Sequence, residues 1–158
     1  MAIEFKHLAE ANKEDIIELM NNPLVRRQMP LTSDNFDEDD YEAFIAGKQK
    51  LWDEFGYGPW AFMVDGRFAG WGGLQPEGED VDLAIVLHPD FWGMGKSIYD
   101  LIIEYAFEER GFDSVIILLP PSRTRIKGVL RLGFEQDGEM AFFGERFIRY
   151  RLYRPKEL

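Results

Sequence analysis

The chain has 158 residues, is 46% hydrophobic and 30% charged, and carries a net charge of −11, which is typical of a globular protein with one core. It has no cysteine and two histidines, so disulfides, thiolate metal sites and a cysteine nucleophile are excluded, and we expect no metal. The first ten residues are too charged for a signal peptide, and no apolar run approaches the roughly 20 residues of a membrane span. We therefore expect one domain over residues 1–158, in the cytoplasm and away from membranes.

Charge is distributed unevenly along the chain. Residues 123–158 hold 9 Lys+Arg against 5 Asp+Glu, whereas residues 1–122 hold 9 against 24. An acidic body disfavours nucleic acid as a partner, because phosphates require a basic surface. It would suit a cationic amine, although charge that serves only solubility is the simpler interpretation.

The first third of the chain predicts one strand and two helices. Residues 3–8 are predicted as a strand, and Asn12 can cap a helix that ends near Met20. Residues 25–35 are predicted as a loop. The four acids at 37–40 favour the start of a second helix, where the helix dipole stabilises them.

The remaining pattern predicts six strands and two helices in the order strand, strand, strand, helix, strand, helix, strand, strand, where the last two strands are the arms of the closing hairpin. These elements are predicted at residues 60–64, 68–74, 81–87, 95–110, 114–119, 122–132, 134–143 and 146–153. The continuous apolar run at 114–119 predicts a strand that is buried on both faces. The whole order, β-α-α-β-β-β-α-β-α-β-β, predicts an α/β (α+β) fold in which a mixed sheet is flanked by helices.

The most informative segment joins the strand that ends at Leu87 to the helix that begins at Gly95. Residues 88–97 read His-Pro-Asp-Phe-Trp-Gly-Met-Gly-Lys-Ser. Two glycines before a helix would let several N–H groups converge at the positive end of the helix dipole, an anion site that suits a pyrophosphate. A P-loop would need glycine at Asp90, and a Rossmann fingerprint does not fit either. A Gly-x-Gly alone could equally be a connection without a ligand.

Further motifs accompany this segment. Trp-Gly-Met-Gly spans residues 92–95 after a proline, Ala-Gly-Trp-Gly-Gly-Leu spans 69–74, Tyr-Ala-Phe-Glu spans 105–108, and Leu-Gly-Phe spans 132–134. Together they resemble the GNAT superfamily of N-acetyltransferases, particularly its branch of ribosomal-protein N-terminal acetyltransferases. The resemblance covers essentially the whole chain and implies a mixed, mainly antiparallel sheet of seven strands.

The resemblance also implies acetyl-CoA as the co-substrate. The backbone of the segment after the fourth strand would hold the pyrophosphate, and the fourth strand would pair with the pantetheine arm where the fourth and fifth strands splay apart. The cofactor-binding residues that the resemblance implies are Ile85, Val86, Leu87, Trp92, Gly93, Met94, Gly95, Lys96, Ser97 and Ser122.

The chain departs from the family pattern at several positions. Ser97 stands where the family has Gly or Ala, Ser122 where it often has Asn, and Arg125 where it often has Ser. The tyrosine that many members use as general acid is replaced by Val129. Ser122 could orient or protonate the leaving thiolate, although a helix cap is at least as good an interpretation.

The implied reaction is direct attack of a neutral amine on the thioester, so a base must accept a proton from the amine. The candidates near the fourth strand are Glu79, Asp80, Asp82 and His88, and each could equally be a polar residue of a turn. We favour Asp82 as the base over Glu79. The predicted catalytic residues are Asp82, Glu79 and Ser122. The oxyanion would be met by a backbone amide, that of Leu87.

These features predict an N-acetyltransferase that transfers acetyl from acetyl-CoA to a primary amine, either a protein N-terminus or a small molecule. The missing tyrosine leaves open an acyl-CoA-binding regulatory module with little turnover, and a longer acyl group is a further alternative. Three tryptophans could line an acceptor pocket or belong to the core: Trp52, Trp60 and Trp71. Three phenylalanines of the late strands could support a homodimer or be core: Phe142, Phe143 and Phe147.

Overall fold

A computed structural model describes residues 2–29, 35–123, 126–142 and 144–156. Seven strands form one sheet in the order β1-β2-β3-β4-β5-β7-β6. They are β1 (Ile3–Lys6), β2 (Pro59–Val64), β3 (Arg67–Glu77), β4 (Asp80–Leu87), β5 (Ser114–Leu119), β6 (Glu135–Phe142) and β7 (Glu145–Tyr153). Every neighbouring pair is antiparallel except β4 with β5, which is parallel. The predicted fold class, a mixed and mainly antiparallel seven-strand sheet flanked by helices, is confirmed.

The helices flank the sheet and begin largely where the sequence predicts. They are α1 (Lys13–Asn21), α2 (Pro23–Arg26), α3 (Glu38–Phe55), α4 (Gly95–Glu104) and α5 (Lys127–Arg131). The side chain of Asn12 caps α1, and Asp37 and Asp40 form a capping box at the start of α3. No helix in the described ranges is long and apolar enough to cross a membrane.

The prediction of a loop at 25–35 is wrong for its first two residues, because they belong to α2, which spans Pro23–Arg26. Proline is favoured at the first position of a helix, and the side chain of Asn22 accepts a hydrogen bond from the amide of Leu24 at 2.9 Å. Residues 30–34 lie outside the described part of the chain.

Two apolar cores lie on opposite faces of the sheet. One core packs α4 against β2–β5 and contains Trp60, whereas the other packs α1 to α3 and contains Trp71. Both tryptophans are buried, and Trp52 packs against the first core. The core interpretation is therefore confirmed for all three, while Trp71 also borders the cavity described below.

Glycines of the 69–74 motif allow β3 to lie close against β4. Gly70 and Gly72 have φ of 158° and 152°, and a Cβ would lie 2.0 Å from the carbonyl oxygen of Val86 or 2.2 Å from that of Ala84. No side chain can occupy that space, since the atoms it would meet are backbone. The motif thus has a structural role in positioning β4.

The chain after β4 is helical rather than a glycine-rich loop. A 3₁₀-helix spans Pro89–Met94 and runs directly into α4, which a π-helical turn at Tyr105–Glu109 extends. Gly111, with φ of 67°, follows this helical run as expected.

Three predictions for the last third need correction. The helix predicted at 122–132 begins only at Lys127. The chain turns before it, and the carbonyl of Pro120 accepts a hydrogen bond from the amide of Arg123. Ser122 is therefore an exposed turn residue that caps no helix. Strand β5 is fully buried at Val115 and Ile116 alone, since its second half borders a cavity.

Two of the three late phenylalanines lie in the described residues, and neither is fully exposed. Phe147 is 6% exposed and therefore belongs to the interior, and it contacts the partly buried Phe142 with ring centroids 5.7 Å apart. Phe143 and Arg125 lie outside the described residues. The homodimer stays a prediction.

Candidate active site

Among the described strands, one neighbouring pair is parallel, β4 with β5, and it opens into a cavity. Within their described residues, β4 and β5 share a single register pair, Asp82 with Ile116. Beyond it the strands diverge, and a cavity of about 660 Å³ is lined by residues of both. The splay between the fourth and fifth strands that the sequence predicted is present.

The cavity passes through the sheet. Alternate residues of a strand point to opposite faces, so Asp82, Ala84 and Val86 face α1 to α3 while Leu83, Ile85 and Leu87 face α4. All six border the cavity. On the first face, here called the helical side, it is completed by Met20, Val25, Gln28, Met29, Phe44, Lys48 and Trp71. On the opposite face, here called the α4 side, it is completed by Trp92, Tyr99, Arg123, Val129, Leu132 and Phe134.

The backbone of β4 alternates in the same way. The amide of His88 donates to the carbonyl of Ala69 at 2.8 Å, so the pair of Val86 with Trp71, two residues back, is also a hydrogen-bonded pair. The backbone groups of Ile85 and Leu87 then point away from β3, towards the gap. Of the three residues predicted to pair with pantetheine, Val86 is therefore directed to its own sheet.

The indole of Trp92 closes one end of this gap. Its Nε1 donates to the carbonyl oxygen of Leu87 at 2.9 Å, although 45% of the side chain is exposed. That bond occupies the carbonyl of Leu87 and leaves the amide as the group that faces the cavity.

Neither the backbone angles nor the packing at positions 93 and 95 requires a glycine. Gly95 has helical angles of −55° and −43°, and Gly93 is not among the residues of positive φ. A Cβ would meet nothing within 4 Å at Gly93 and only a methyl of Leu87, at 3.8 Å, at Gly95. The space at Gly95 adjoins Leu87, which also borders the cavity. An anion at the N-terminus of α4 would fit this space, as acetyl-CoA requires.

The other residues predicted to bind the pyrophosphate do not all point to the cavity. The amide of Gly95 already donates to the carbonyl of Trp92, which occupies it in this structure. The Nζ of Lys96 pairs with Asp100 at 2.6 Å, one turn along α4, and does not turn back to the cavity. Ser97 is exposed in the first turn of α4 and Met94 is half-buried just before it.

Asp82 is the one predicted catalytic residue that borders the cavity. It lies within β4, opposite Gln75 of β3, and both side chains point to the helical side. The pKa of Asp82 is raised to about 7, chiefly by burial and also by the nearby Glu77, while Lys48 acts in the opposite direction. A carboxylate with such a pKa can accept a proton near neutral pH.

Lys48 is a functional candidate that the sequence analysis missed. Its Nζ donates to Gln75 Oε1 at 2.6 Å and lies 5.5 Å and 5.1 Å from the ring centres of Phe44 and Trp71. Burial lowers its pKa. The available signal was its spacing, since Lys48 follows Phe44 by four residues and precedes Trp52 by four, within the apolar stripe of α3.

The other predicted acids and bases lie elsewhere. Glu79 is exposed in the turn between β3 and β4, and Ser122 is exposed in the turn after β5. His88 accepts the amide of Asp90 at its Nδ1 and borders a separate cavity of about 530 Å³. In the described part of the chain, no three His, Asp or Glu residues are grouped as metal ligands would be.

Tyr99 is the phenol that borders the α4 side of the cavity, close to Val129. Burial raises its pKa to about 12. A thiol has an ordinary pKa near 8.5, so full proton transfer from this phenol to a thiolate would be uphill. Tyr99 can donate a hydrogen bond there but is poorly suited to be a general acid.

Known proteins share both the sequence pattern and the fold. Residues 3–135 match the family described as the acetyltransferase (GNAT) domain. The spermidine N-acetyltransferase of Vibrio cholerae, solved with CoA and spermine, superposes with a TM-score of 0.75 at 13% identity, covering 96% of this chain and 95% of that one. An acetyltransferase from Agrobacterium tumefaciens gives 0.74 at 18% identity, covering 96% and 91%. The Campylobacter jejuni N-acetyltransferase PseH, solved with acetyl coenzyme A, gives 0.68 at 17% identity, covering 98% and 100%.

The chain therefore belongs to the GNAT family of acetyltransferases. The expected enzyme class, an acetyl-CoA-dependent N-acetyltransferase, is confirmed by this membership. At these low identities the solved structures establish the shared fold, and they do not distinguish the ribosomal-protein branch from others.

Proposed function

We propose that this protein transfers an acetyl group from acetyl-CoA to a primary amine inside the cavity that passes through its sheet. The carrying observation is the splay itself, because the backbone groups of Ile85 and Leu87 face an open gap instead of a neighbouring strand. A pantetheine arm can occupy such a gap as an additional strand-like segment. Gly93 and Gly95 provide the space for the pyrophosphate at the end of that gap.

The acceptor amine would enter from the helical side, where Asp82 borders the cavity. Asp82 accepts a proton from the ammonium form, and the neutral amine then attacks the thioester carbon. The C–N bond forms and the C–S bond breaks, so that N-acetylamine and the CoA thiol are the products. The amide of Leu87 faces the gap and is the donor we assign to the carbonyl oxygen.

Protonation of the leaving thiolate requires little help from the protein. An ordinary thiol pKa near 8.5 means that a thiolate gains its proton from water or from the attacking nitrogen without a strong acid. Tyr99 can hold the sulfur with a hydrogen bond. Ser122 is exposed in the turn after β5 and is not needed for this step, so its role stays a prediction. The valine at 129 is consistent with such a mechanism.

The acceptor is either a protein N-terminus or a small molecule. The resemblance to ribosomal-protein N-terminal acetyltransferases favours the former, and the net charge of −11 favours a cationic amine of either kind. The second candidate function, an acyl-CoA-binding module with little turnover, is favoured by one observation: the apolar Val129 at the position of the usual acid.

Release of CoA thiol from acetyl-CoA, measured against a panel of amines and N-terminal peptides, tests the proposal. We expect release that depends on the amine, with kcat/KM increasing with pH up to about 7 and levelling above it, as the pKa of Asp82 requires. Asp82→Asn should remove most of this activity, roughly 100-fold or more, while acetyl-CoA still binds. Acetyl-CoA binding without release for any amine would favour the binding module, and no binding at all would overturn the site.

A further inference from the structure

We propose that the acceptor is a small amine that carries its own carboxylate, as a free α-amino acid with an apolar side chain does. This rests on the proposed transferase function and names its substrate class. The argument concerns the helical side of the cavity, where Lys48 and Asp82 form a wall with two separate charges.

Lys48 is a half-buried cation that has no anionic partner among the described residues. Its ammonium has three donors, and the one hydrogen bond found for it goes to the neutral amide of Gln75, while Nζ lies 5.5 Å and 5.1 Å from the ring centres of Phe44 and Trp71. The lowered pKa of Lys48 reflects this unpaired burial. A carboxylate brought by a ligand would remove the deficit with a charge-assisted hydrogen bond.

The two charges border the same side of the cavity. Asp82 and Lys48 influence one another electrostatically but form no direct ion pair, and Gln75 lies between them, bonded to Lys48 and opposite Asp82 in the sheet. Glu77, two residues further along the same face of β3, adds negative charge at the Asp82 end. An ammonium would therefore lie at Asp82 and a carboxylate at Lys48.

A second donor on the same wall lacks a partner. Trp71 is 6% exposed, and no described group accepts a hydrogen bond from its Nε1. The nitrogen atom itself is buried, so it does not face the cavity, and we assign it no part in binding the acceptor.

Apart from Gln28, the rest of the helical side is apolar. Met20, Val25 and Phe44 border it together with Trp71. Such a surface suits an aliphatic or aromatic side chain. A polyamine is disfavoured, because its second ammonium would meet the cation of Lys48.

A comparison of kcat/KM for four acceptors tests the inference: leucine, leucinamide, isopentylamine and spermidine. Leucinamide and isopentylamine keep the amine and the side chain but lack the carboxylate, and leucinamide stands for a peptide N-terminus. We expect kcat/KM for leucine to exceed that for either analogue by roughly 10- to 100-fold, the effect of one charge-assisted pair. Lys48→Met should remove most of that ratio. Lys50→Met, on the exposed face of α3, should retain it.

A binding measurement separates the two proposals. Calorimetric titration of leucine into the protein with CoA present needs no turnover, and Lys48→Met should weaken leucine binding more than isopentylamine binding. Turnover with isopentylamine, leucinamide or spermidine equal to or faster than that with leucine would overturn the carboxylate proposal and leave the transferase intact. Leucine binding without turnover of any amine would support the acceptor site and overturn the transferase.

Discussion

Asp82 combines a functional position with an energetic cost. Its raised pKa means that the folded protein binds its proton more tightly than the unfolded chain, so folding stability falls as pH rises from about 4 to about 7. The difference between a pKa of about 7 and the ordinary aspartate value corresponds to at most about 4 kcal/mol, and contact of the side chain with cavity water reduces this. A group retained at such cost is typical of an active site.

Asp82→Asn should therefore stabilise the protein at alkaline pH. Asparagine has a similar shape and remains neutral, so we expect the variant to gain about 1–2 kcal/mol over the parent at pH 8 and almost nothing at pH 4. Urea denaturation at both pH values measures the difference. Asp53→Asn, on the exposed face of α3, should show no such dependence on pH. Equal differences at the two pH values for Asp82→Asn would contradict the burial that we assign to this carboxyl.

The residues of the site were predictable to different degrees. Asp82 and the backbone of β4 could be found from strand periodicity and the family motifs, because alternation alone fixes which groups face a gap. Lys48 could not be assigned, since a lone lysine in a helix is normally a surface residue, and only the tertiary contact with Gln75 shows otherwise. The helix cap at Ser122 was wrong because counting back along a helix assumes an unbroken helix, and here the chain turns first. The catalytic and cofactor-binding roles of Ser122 stay predictions.

Elements with strong local signals were predicted well. The capping box at Asp37 and the Asp-Gly turn at 65–66 fix α3 and the hairpin of β2 with β3 by local chemistry alone. The 3₁₀-helix at Pro89–Met94 was missed, because glycines at 93 and 95 indicate a flexible turn unless a helix is already imposed by packing. Strand β3 also runs three residues further than predicted, to Glu77, through pairing with β4 that the sequence does not reveal.

The first turn of α4 offers a test that separates folding from binding. Gly95→Ala suits the helical backbone, and its Cβ would only touch Leu87, so we expect stability to rise by up to about 1 kcal/mol. The same methyl would occupy the proposed pyrophosphate space, so the dissociation constant for acetyl-CoA should increase by roughly 10-fold, or about 1.4 kcal/mol. Denaturation and calorimetry measure the two effects.

Gly47→Ala provides the matched control for this substitution. Gly47 lies within α3, and a Cβ there would meet nothing within 4 Å. It should stabilise the helix similarly without changing acetyl-CoA affinity. Unchanged affinity in Gly95→Ala as well would show that the glycine serves the fold and not the ligand.

At the scale of the whole molecule, β4 and β5 can diverge at one end only if they are held together at the other. Arg151 of β7 donates to Asp80 of β4, to Ser114 of β5 and to Asp137 of β6, each at 2.8 Å. One side chain, 15% exposed, thereby joins four strands at the end where β4 and β5 still pair. The same strands diverge at the other end, so the network and the cavity are two parts of one arrangement.

Arg151→Met should loosen this closed end. Asp80, about one quarter exposed, would lose its shortest partner and keep only Arg149 at 3.8 Å, so we expect a destabilisation of about 2–3 kcal/mol at pH 7. Hydrogen bonding to Arg151 holds the pKa of Asp137 below its ordinary value. The stability that this adds is present above the ordinary aspartate range and is lost as pH falls through the folded pKa. The difference from the parent should therefore shrink between pH 5 and pH 3.

Arg146→Met on the same strand is the control, because Arg146 is largely exposed and pairs only with Glu139 at 3.1 Å. Its loss should change stability by less than about 1 kcal/mol. Since Asp80 lies two residues before Asp82 in β4, Arg151→Met should also weaken acetyl-CoA binding in calorimetry, whereas Arg146→Met should not. Destabilisation by Arg151→Met with unchanged acetyl-CoA affinity would mean that the splay is set by the packing of its own apolar walls and not by the network at its closed end.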